Sequence, residues 1–356
     1  MKVTEKHVRD IELASSVLDL ATSRDGRTLF AACLDGTVRE VDAESGASTV
    51  LTTHSSFASG VALIHDEIVV SAGYDGVLQW HDRGGRKLRE VAAHSFWSWQ
   101  LAASVDGRFV ASSTGQYLCG SYEYAPAAER EPSVKLFSAL GGDLLHAFSH
   151  RPPVLSVAFS PDGERVAAGN LMGDVVVWDT ASGAELARWN TPSFTGWGVI
   201  KGHYYTGGIF SLAPTPNGDE WLLAGMGSTT DPAAGNGRQL WQRFAWKESP
   251  ARRVDETHDG ESGQGLMETL AFDPSGRVFA IGGRTAKGNW NVAFFAAASG
   301  AIAGSFASGH RVTRLVWRPE GDRVFLAGAV GQGKRLDDGS YAPFGRIQIR
   351  DVTLDA

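Results

Sequence analysis

The sequence predicts an all-β fold: a seven-bladed β-propeller with four antiparallel strands per blade and an N-terminal strand that closes the seventh blade. A four-residue turn recurs seven times, about 40 residues apart wherever no loop is inserted. Short apolar strands flank every copy. Because no such repeat can bury its apolar face alone, the copies are expected to stack in one closed ring. The copies are Ser23-Arg24-Asp25-Gly26, Ile64-His65-Asp66-Glu67, Ser104-Val105-Asp106-Gly107, Ser160-Pro161-Asp162-Gly163, Thr215-Pro216-Asn217-Gly218, Asp273-Pro274-Ser275-Gly276 and Arg318-Pro319-Glu320-Gly321.

The fourth repeat shows the four strands of a blade, called a to d in chain order, most clearly. Residues alternate in character along it, which is typical of strands with two distinct faces. Its predicted strands are Val154–Phe159, Glu164–Asn170, Asp174–Asp179 and Ala184–Asn190. A second series of turns, such as Ala181-Ser182-Gly183, marks the hairpins between strands c and d. Glycine recurs there because hairpin turns require a positive φ.

The two ends of the chain complement each other. The last repeat runs out after strand c, Ile347–Val352, whereas Val8–Leu13 precedes the first repeat and belongs to no blade. We therefore predict that the N-terminal segment is the outer strand of the seventh blade, which removes two exposed sheet edges. The whole chain, 1–356, is expected to be one domain. Its blades are predicted at about 15–54, 55–94, 95–150, 151–195, 196–258, 259–310, and 311–356 plus 4–14.

Composition and charge restrict the classes of function. The 33 basic and 40 acidic residues give a net charge of −7, which argues against a general binder of nucleic acid or anionic membranes. No apolar run approaches the roughly 18 residues of a membrane span. Residues Met1 to Asp10 lack the apolar core of a secretory signal, so a cytoplasmic location is expected, with a periplasmic one left open if a signal was removed. Cys33 and Cys119 are expected to be unpaired thiols, and the protein a monomer.

Several motifs resemble those of the WD40-repeat family. The turn Ser160-Pro161-Asp162-Gly163, the pair Gly309-His310 and the pair Trp178-Asp179 match its sequence pattern. The resemblance implies a non-catalytic scaffold that binds proteins, and degenerate repeats of this kind are common among stand-alone bacterial members. The family's hydrogen-bonded tetrad of Asp, His, Ser/Thr and Trp is matched only in fragments. These fragments are Asp35, Asp75, Trp178 and the boundary histidines His54, His94 and His150.

The long insertions are all predicted at one end of the ring. In antiparallel blades the a–b and c–d turns lie at one end, and the b–c and d–a connections lie at the other. Insertions of this kind commonly mark a binding surface, although they also serve merely to cover the end of a ring. They are the b–c loops Thr114–Pro132, Gly227–Gly237, Arg284–Gly288 and Val330–Gly345 and the d–a connections Thr191–Gly207 and His258–Gly265.

Aromatic and basic residues in these loops are the candidate partner-binding residues. Tyrosine and tryptophan bury a large area with little loss of rotamer entropy, so interfaces favour them. The alternative is that the rings form local cores for the loops and that the charges are merely solvated. Acidic residues across the ring, Glu123, Glu129 and Glu131, oppose the basic ones. The candidates are Trp97, Trp99, Tyr122, Tyr124, Trp197, Tyr204, Tyr205, Arg284, Lys287, Lys334, Arg335 and Tyr341.

Signals of catalysis are few. The chain has no Gly-x-Ser-x-Gly elbow, phosphate loop or zinc-protease motif, so no enzyme activity and no cofactor is expected. Metal binding by His258, Asp259 and Glu261, or by Asp337 and Asp338, is left open. The alternative function is a propeller hydrolase or lyase with its active site over the central channel. Converging histidines and carboxylates at the channel mouth would favour that enzyme, whereas an apolar and aromatic mouth would favour the scaffold.

Overall fold

The computed structural model describes residues 1–115, 128–197, 205–227, 239–258, 265–284, 288–339 and 341–355. It confirms the seven-bladed β-propeller: the strands form seven antiparallel sheets. Within the described residues the only helical element is the short 3₁₀ turn Pro192–Phe194.

The strands of the first four blades are the most regular. Blade 1 contains β2 (Val17–Thr22), β3 (Thr28–Cys33), β4 (Thr37–Asp42) and β5 (Ser48–Thr53). Blade 2 contains β6 (Ala58–Ile64), β7 (Ile68–Gly73), β8 (Val77–Asp82) and β9 (Lys87–Ala92). Blade 3 contains β10 (Ser98–Ala103), β11 (Phe109–Thr114), β12 (Val134–Ser138) and β13 (Leu144–Phe148). Blade 4 contains β14 (Val154–Phe159), β15 (Arg165–Asn170), β16 (Asp174–Asp179) and β17 (Glu185–Asn190).

The last three blades carry the additions to this pattern. Blade 5 contains β18 (Thr195–Trp197), β19 (Tyr205–Pro214), β20 (Glu220–Met226), β21 (Trp241–Ala245) and β22 (Arg252–Glu256). Blade 6 contains β23 (Met267–Phe272), β24 (Val278–Gly283), β25 (Val292–Ala296) and β26 (Ile302–Phe306). Blade 7 contains β27 (Arg311–Trp317), β28 (Arg323–Ala329), β29 (Gly345–Asp355) and β1 (Lys2–Leu13).

The N-terminal strand closes the ring as predicted. It pairs antiparallel with β29 from Lys2 opposite Asp355 to Leu13 opposite Gly345, so it is longer than the segment predicted from the sequence. The innermost strand of each blade contacts that of the next, and β27 contacts β2. No blade is therefore left at an open end.

Strand β18 adds a fifth strand to the fifth blade. The innermost strand β19 has ten residues, and its first residues extend beyond the pairing with β20. The short strand β18 pairs with this extension, from Thr195 opposite Gly207 to Trp197 opposite Tyr205. Part of the predicted d–a connection is therefore hydrogen-bonded sheet.

The first turn series has the backbone that its glycines predict. The final glycine of six copies has a positive φ, between 67° and 78°. In the second copy, where Glu67 replaces glycine, the left-handed residues are His65 and Asp66 instead. The copy that matches the pattern least therefore forms a different turn at the same place in its blade.

Polar side chains join consecutive blades at the centre of the ring. In all seven junctions a side chain on one innermost strand is hydrogen bonded to the backbone of the next innermost strand, at 2.6 to 3.1 Å. The pairs are Asp19 with N of Val61, Ser59 with O of Ser98, Gln100 with N of Val157, Ser156 with O of Ile209, Ser211 with N of Leu270, Thr269 with N of Leu315, and Thr313 with O of Val17.

Blade 2 contains the most complete fragment of the tetrad. Nδ1 of His54 lies 3.1 Å from Oδ1 of Asp75, and its Nε2 lies 2.9 Å from Oγ of Ser71. Burial acts to raise the pKa of Asp75, but the hydrogen bond and charge of His54 prevail and lower it. This confirms the interpretation of Asp75 as a turn acid. Trp178 in blade 4 is buried against Phe148, with ring centroids 4.8 Å apart.

Candidate interaction site at the mouth of the central channel

A β-bulge occurs in the innermost strand of every blade. In each blade the pairing between strands a and b skips one residue, and a bulge re-aims the side chain that it leaves unpaired. The skipped residues are Leu18, Ser59, Trp99, Leu155, Phe210, Glu268 and Thr313. All seven line a cavity of about 890 Å³ at the centre of the ring. The bulges therefore build the lining of the channel mouth, and four of the seven side chains are apolar.

The cavity opens at the loop-rich end. Its rim includes Asp35 and Tyr74 from the b–c turns of blades 1 and 2, and Phe57 from the connection into blade 2. Tyr341 and Phe344 from the b–c loop of blade 7 complete it on another side. The b–c and d–a connections thus surround the mouth.

Five aromatic residues, called the rim aromatic cluster, lie beside this mouth: Phe57, Tyr74, Phe96, Trp97 and Trp99. The ring of Tyr74 stacks on Trp97 and Trp99, with centroids 4.9 and 5.8 Å away, and lies 5.4 Å from Phe57. Phe96 stacks on Trp97 at 4.7 Å. Burial raises the pKa of Tyr74 to about 12. Phe57 and Trp97 are each 42% exposed, so the cluster presents two large apolar side chains to solvent around the half-buried ring of Tyr74.

Two ion pairs supply most of the charge in the cavity. Oδ1 of Asp19 lies 3.0 Å from Nε of Arg314, and both oxygens of Glu268 accept hydrogen bonds of 2.7 Å from Arg311. Burial raises the pKa of both carboxyl groups, against the opposing charge of the arginines. Among the described residues that line the cavity there is no histidine and no cysteine. Two of the three carboxylates in the described lining are thus paired with arginines, and the third, Asp35, accepts hydrogen bonds from Thr37 at the rim.

The structure describes eight of the twelve predicted partner-binding residues, and they lie in different places. Trp99 and Tyr341 line the cavity, Trp97 belongs to the rim aromatic cluster, and Arg284, Lys334 and Arg335 are exposed in the loops. Trp197 and Tyr205 lie opposite each other between β18 and β19. Tyr122, Tyr124, Tyr204 and Lys287 lie outside the described residues.

Two of the acidic residues expected across the ring, Glu129 and Glu131, form hydrogen bonds in and around the blade 3 loop. Glu129 accepts hydrogen bonds from the backbone N–H groups of Ser133 and His150, at 2.8 and 2.9 Å. Glu131 accepts one from N of Ser95 at 2.7 Å and pairs with Lys135 at 2.7 Å. The alternative of ordinary loop charge therefore describes these two residues better than a sector that steers a partner. Glu123 lies outside the described residues.

The candidate metal ligands do not assemble in the described chain. Nε2 of His258 lies 3.3 Å from Oδ1 of Asp255, whereas Asp259 and Glu261 lie outside the described residues. Asp337 and Asp338 are exposed. Over the described ranges no three His, Cys, Asp or Glu side chains group as metal ligands do. The described residues also contain no helix of the length and apolarity needed to cross a bilayer.

Sequence reasoning missed most of the cavity lining, although a signal was present. In every repeat the bulged residue lies eight positions before the last residue of the four-residue turn, as Leu18 does before Gly26 and Phe210 before Gly218. Aligning the repeats on their turns would have placed all seven in one ring. Phe57 and Tyr74 had no such signal, because their cluster forms across two blades.

Comparison with known proteins supports the architecture. A family model described as "WD domain, G-beta repeat" matches residues 6–42, and one described as "Outer membrane protein assembly factor BamB" matches residues 130–335. The chain is 28% identical over 178 residues to periodic tryptophan protein 2 of Arabidopsis thaliana. It is 24% identical over 217 residues to guanine nucleotide-binding protein subunit beta of Oryza sativa subsp. japonica. The matched repeat and the two partial relatives support a WD40-repeat β-propeller. Because residues 130–335 are more than half of the chain, the chain belongs to the family of the assembly-factor model.

The relatives are matched only in part. The match to the A. thaliana protein covers 48% of this chain and 18% of that protein. The match to the O. sativa protein covers 60% of this chain and 49% of that protein. The chain thus spans half or less of each relative.

Proposed function

We propose that this protein is a non-catalytic scaffold that binds a protein or peptide partner through its loop-rich end. The observation that carries the proposal is the rim aromatic cluster beside an apolar channel mouth. Its exposed rings both contact Tyr74, Trp97 by stacking and Phe57 in a tilted arrangement, so they are ordered before any partner arrives. Preordered aromatic side chains lose little entropy on binding and are the usual energetic centres of interfaces.

The chemistry of the mouth favours binding over catalysis. A general acid or base needs a titratable group within reach of a reacting atom. In the described part of the lining, Asp19 and Glu268 are each engaged by an arginine, and their side chains are buried. His258, a candidate for the enzyme alternative, is not among the residues that line the cavity. The apolar and aromatic side chains of the described lining support the scaffold rather than the enzyme alternative.

The relatives point the same way. The name of the O. sativa relative describes a subunit, which is a protein that works in association with others. We extend association with other proteins to this chain as part of the proposal. The identity of the partner does not follow from the likeness, since half of that relative is unmatched.

The test is a pair of double variants with one partner. Proteins retained by the wild-type chain are captured from an extract of the native host, and the retained partner is identified and purified. Its Kd is then measured by isothermal titration calorimetry against Phe57→Ala/Trp97→Ala. The control is Val105→Ala/Leu140→Ala, which removes exposed apolar side chains from the short-turn end. We expect the first variant to bind at least about tenfold more weakly and the control to bind as the wild type does.

Folding is checked by the thermal midpoint of both variants. Equal affinity of all three proteins would refute the loop-rich end as the binding surface. A weaker control with an unchanged first variant would move the interface to the opposite end.

A further inference from the structure

Two of the three carboxylates that line the cavity, Asp19 and Glu268, already have hydrogen-bond partners. Oδ1 of Asp19 accepts from N of Leu20 at 3.0 Å and faces Arg314, and Oδ2 accepts from N of Val61 at 3.0 Å. Glu268 receives both of its bonds from Arg311. These carboxylates therefore have little capacity left for a cationic or donor-rich ligand.

Arg314 provides hydrogen-bond donors in the same cavity that lack an acceptor in the described part of the chain. Arg314 lines the cavity and its side chain is 30% exposed. Its Nε is buried without an acceptor in line with the N–H, although Asp19 lies 3.0 Å away. Within the described residues Asp19 is its one charged partner, so the terminal nitrogens of the guanidinium remain available. Arg314 is therefore a charged donor that the described residues leave partly unused.

A second donor lies on the opposite side of the channel mouth. Gln100 lines the cavity, and its Oε1 accepts a bond of 2.7 Å from N of Val157. That bond fixes the side-chain amide with its oxygen engaged. The NH₂ group, for which the described residues supply no acceptor, is the end left to a ligand.

Apolar side chains occupy the space between these donors. Leu18, Leu155 and Phe210 project into the cavity from bulges in blades 1, 4 and 5, together with Trp99 from blade 3. A volume of about 890 Å³ lies within the range of sites for small molecules, about 300–1,000 Å³. A few directed polar groups in an apolar cavity are the usual design of such sites.

We infer that the channel mouth binds a carboxylate whose acid group pairs with Arg314 and whose apolar body lies against Leu18, Leu155 and Phe210. The planar guanidinium offers two parallel N–H groups that match a carboxylate. Asp19 and Glu268 are each paired with an arginine, which leaves Asp35 at the rim as the lining acid without one among the described residues. A dianionic phosphate is disfavoured relative to a singly charged carboxylate, because its repulsion from Asp35 is larger. The carboxylate belongs either to a free small acid or to the C-terminus of a partner peptide, and the latter would deepen the proposed function.

The experiment compares a carboxylate with its neutral isostere. Isothermal titration calorimetry measures binding of 4-phenylbutyrate and of 4-phenylbutanamide to the full chain. Two further probes are peptides ending in Leu-Phe, one with a free C-terminal carboxylate and one amidated. We expect the wild type to prefer the carboxylate form of at least one pair by about tenfold or more. A preference in the first pair identifies a small acid, and a preference confined to the peptides identifies a chain terminus.

Arg314→Lys tests the assigned residue. It keeps a positive charge beside Asp19, so the fold should survive, but it removes the guanidinium fork. The preference should fall to within about twofold, while Arg188→Lys, an exposed arginine of an outer strand, should behave as the wild type. The inference is overturned if the wild type shows no preference in either pair, or if Arg314→Lys retains it. Because Phe57 and Trp97 are unchanged in these variants, such a failure leaves the proposed scaffold function standing.

Discussion

The carboxylate of Asp19 in the first blade accepts a hydrogen bond from the backbone N–H of Val61 in the second, at 3.0 Å. Both residues belong to innermost strands, and their junction is one of seven built in the same way. These bonds are made where bulges have opened the a–b pairing. They hold each blade in register with the next, so the channel mouth has fixed dimensions.

Replacing one of these side chains by an apolar isostere should destabilise the whole ring. In Thr269→Val the shape is kept, but the backbone N–H of Leu315 loses its 3.0 Å acceptor in a buried place. An unsatisfied buried donor costs about 1–3 kcal/mol. We expect a loss of that size in the free energy of unfolding, measured by urea denaturation with an unchanged m-value. Thr49→Val on an exposed outer strand is the control, and an equal loss in both would contradict the assignment.

The closing strand should contribute through its buried face. Ile11 is 4% exposed and packs with Leu13, Ile347 and Ile349. Ile11→Ala should lower the free energy of unfolding by about 2–5 kcal/mol, the usual cost of such a cavity. Val8→Ala, on the same strand but 43% exposed, should change it by less than about 0.5 kcal/mol.

Removal of residues 1–13 is the stronger form of the same test. The deletion exposes the edge of β29 and the apolar side chains that β1 covers. We expect a large fall in thermal midpoint together with concentration-dependent association. A truncated protein that melts at the wild-type temperature would refute closure by this strand.

The sequence predicts most of the ring and little of the cluster beside its mouth. The strands of blade 4 begin and end within one residue of their predicted bounds, because recognisable turn residues separate them. The bulges were missed because period-two alternation assumes continuous pairing, whereas the innermost strands are re-aimed at the centre of the ring. The stacking of Tyr74 on Trp97 joins connections of consecutive blades, so no local pattern specifies it. Strand β18 was missed because its partner is the extension of β19, which only the tertiary structure reveals.

Two buried histidines should make the fold sensitive to mild acid. Burial lowers the pKa of His94 and of His150 from an ordinary 6.5 to about 4, and Lys135 adds to the effect at His94. Below pH 6.5 the unfolded chain therefore binds protons that the folded chain does not, so stability falls between pH 6.5 and 4. The full effect is about 3 kcal/mol for each histidine.

Urea midpoints at pH 7.5 and 4.5 measure this loss. His150→Gln should reduce the difference between the two midpoints, because the replacement takes up no proton. His146→Gln, at a partly exposed position where Nε2 lies 3.2 Å from the carbonyl oxygen of Ala181, is the matched control and should leave the difference as it is. A His150→Gln protein with the full wild-type difference would show that other groups cause the acid sensitivity.

The b–c loop of blade 7 should be dispensable for folding but not for binding. Strands β28 and β29 remain paired up to Ala329 opposite Gly345, so replacing residues 331–343 by an Asn-Gly turn leaves the hairpin register intact. The deleted segment is largely exposed and includes Tyr341, which is 59% exposed on the rim of the cavity. We expect the thermal midpoint to stay within about 3 °C of the wild type. The affinity for the captured partner should fall, because one side of the mouth is gone. A trimmed protein that fails to fold would show that this loop belongs to the core of the ring, whereas full affinity would restrict the contact to the side of the rim aromatic cluster.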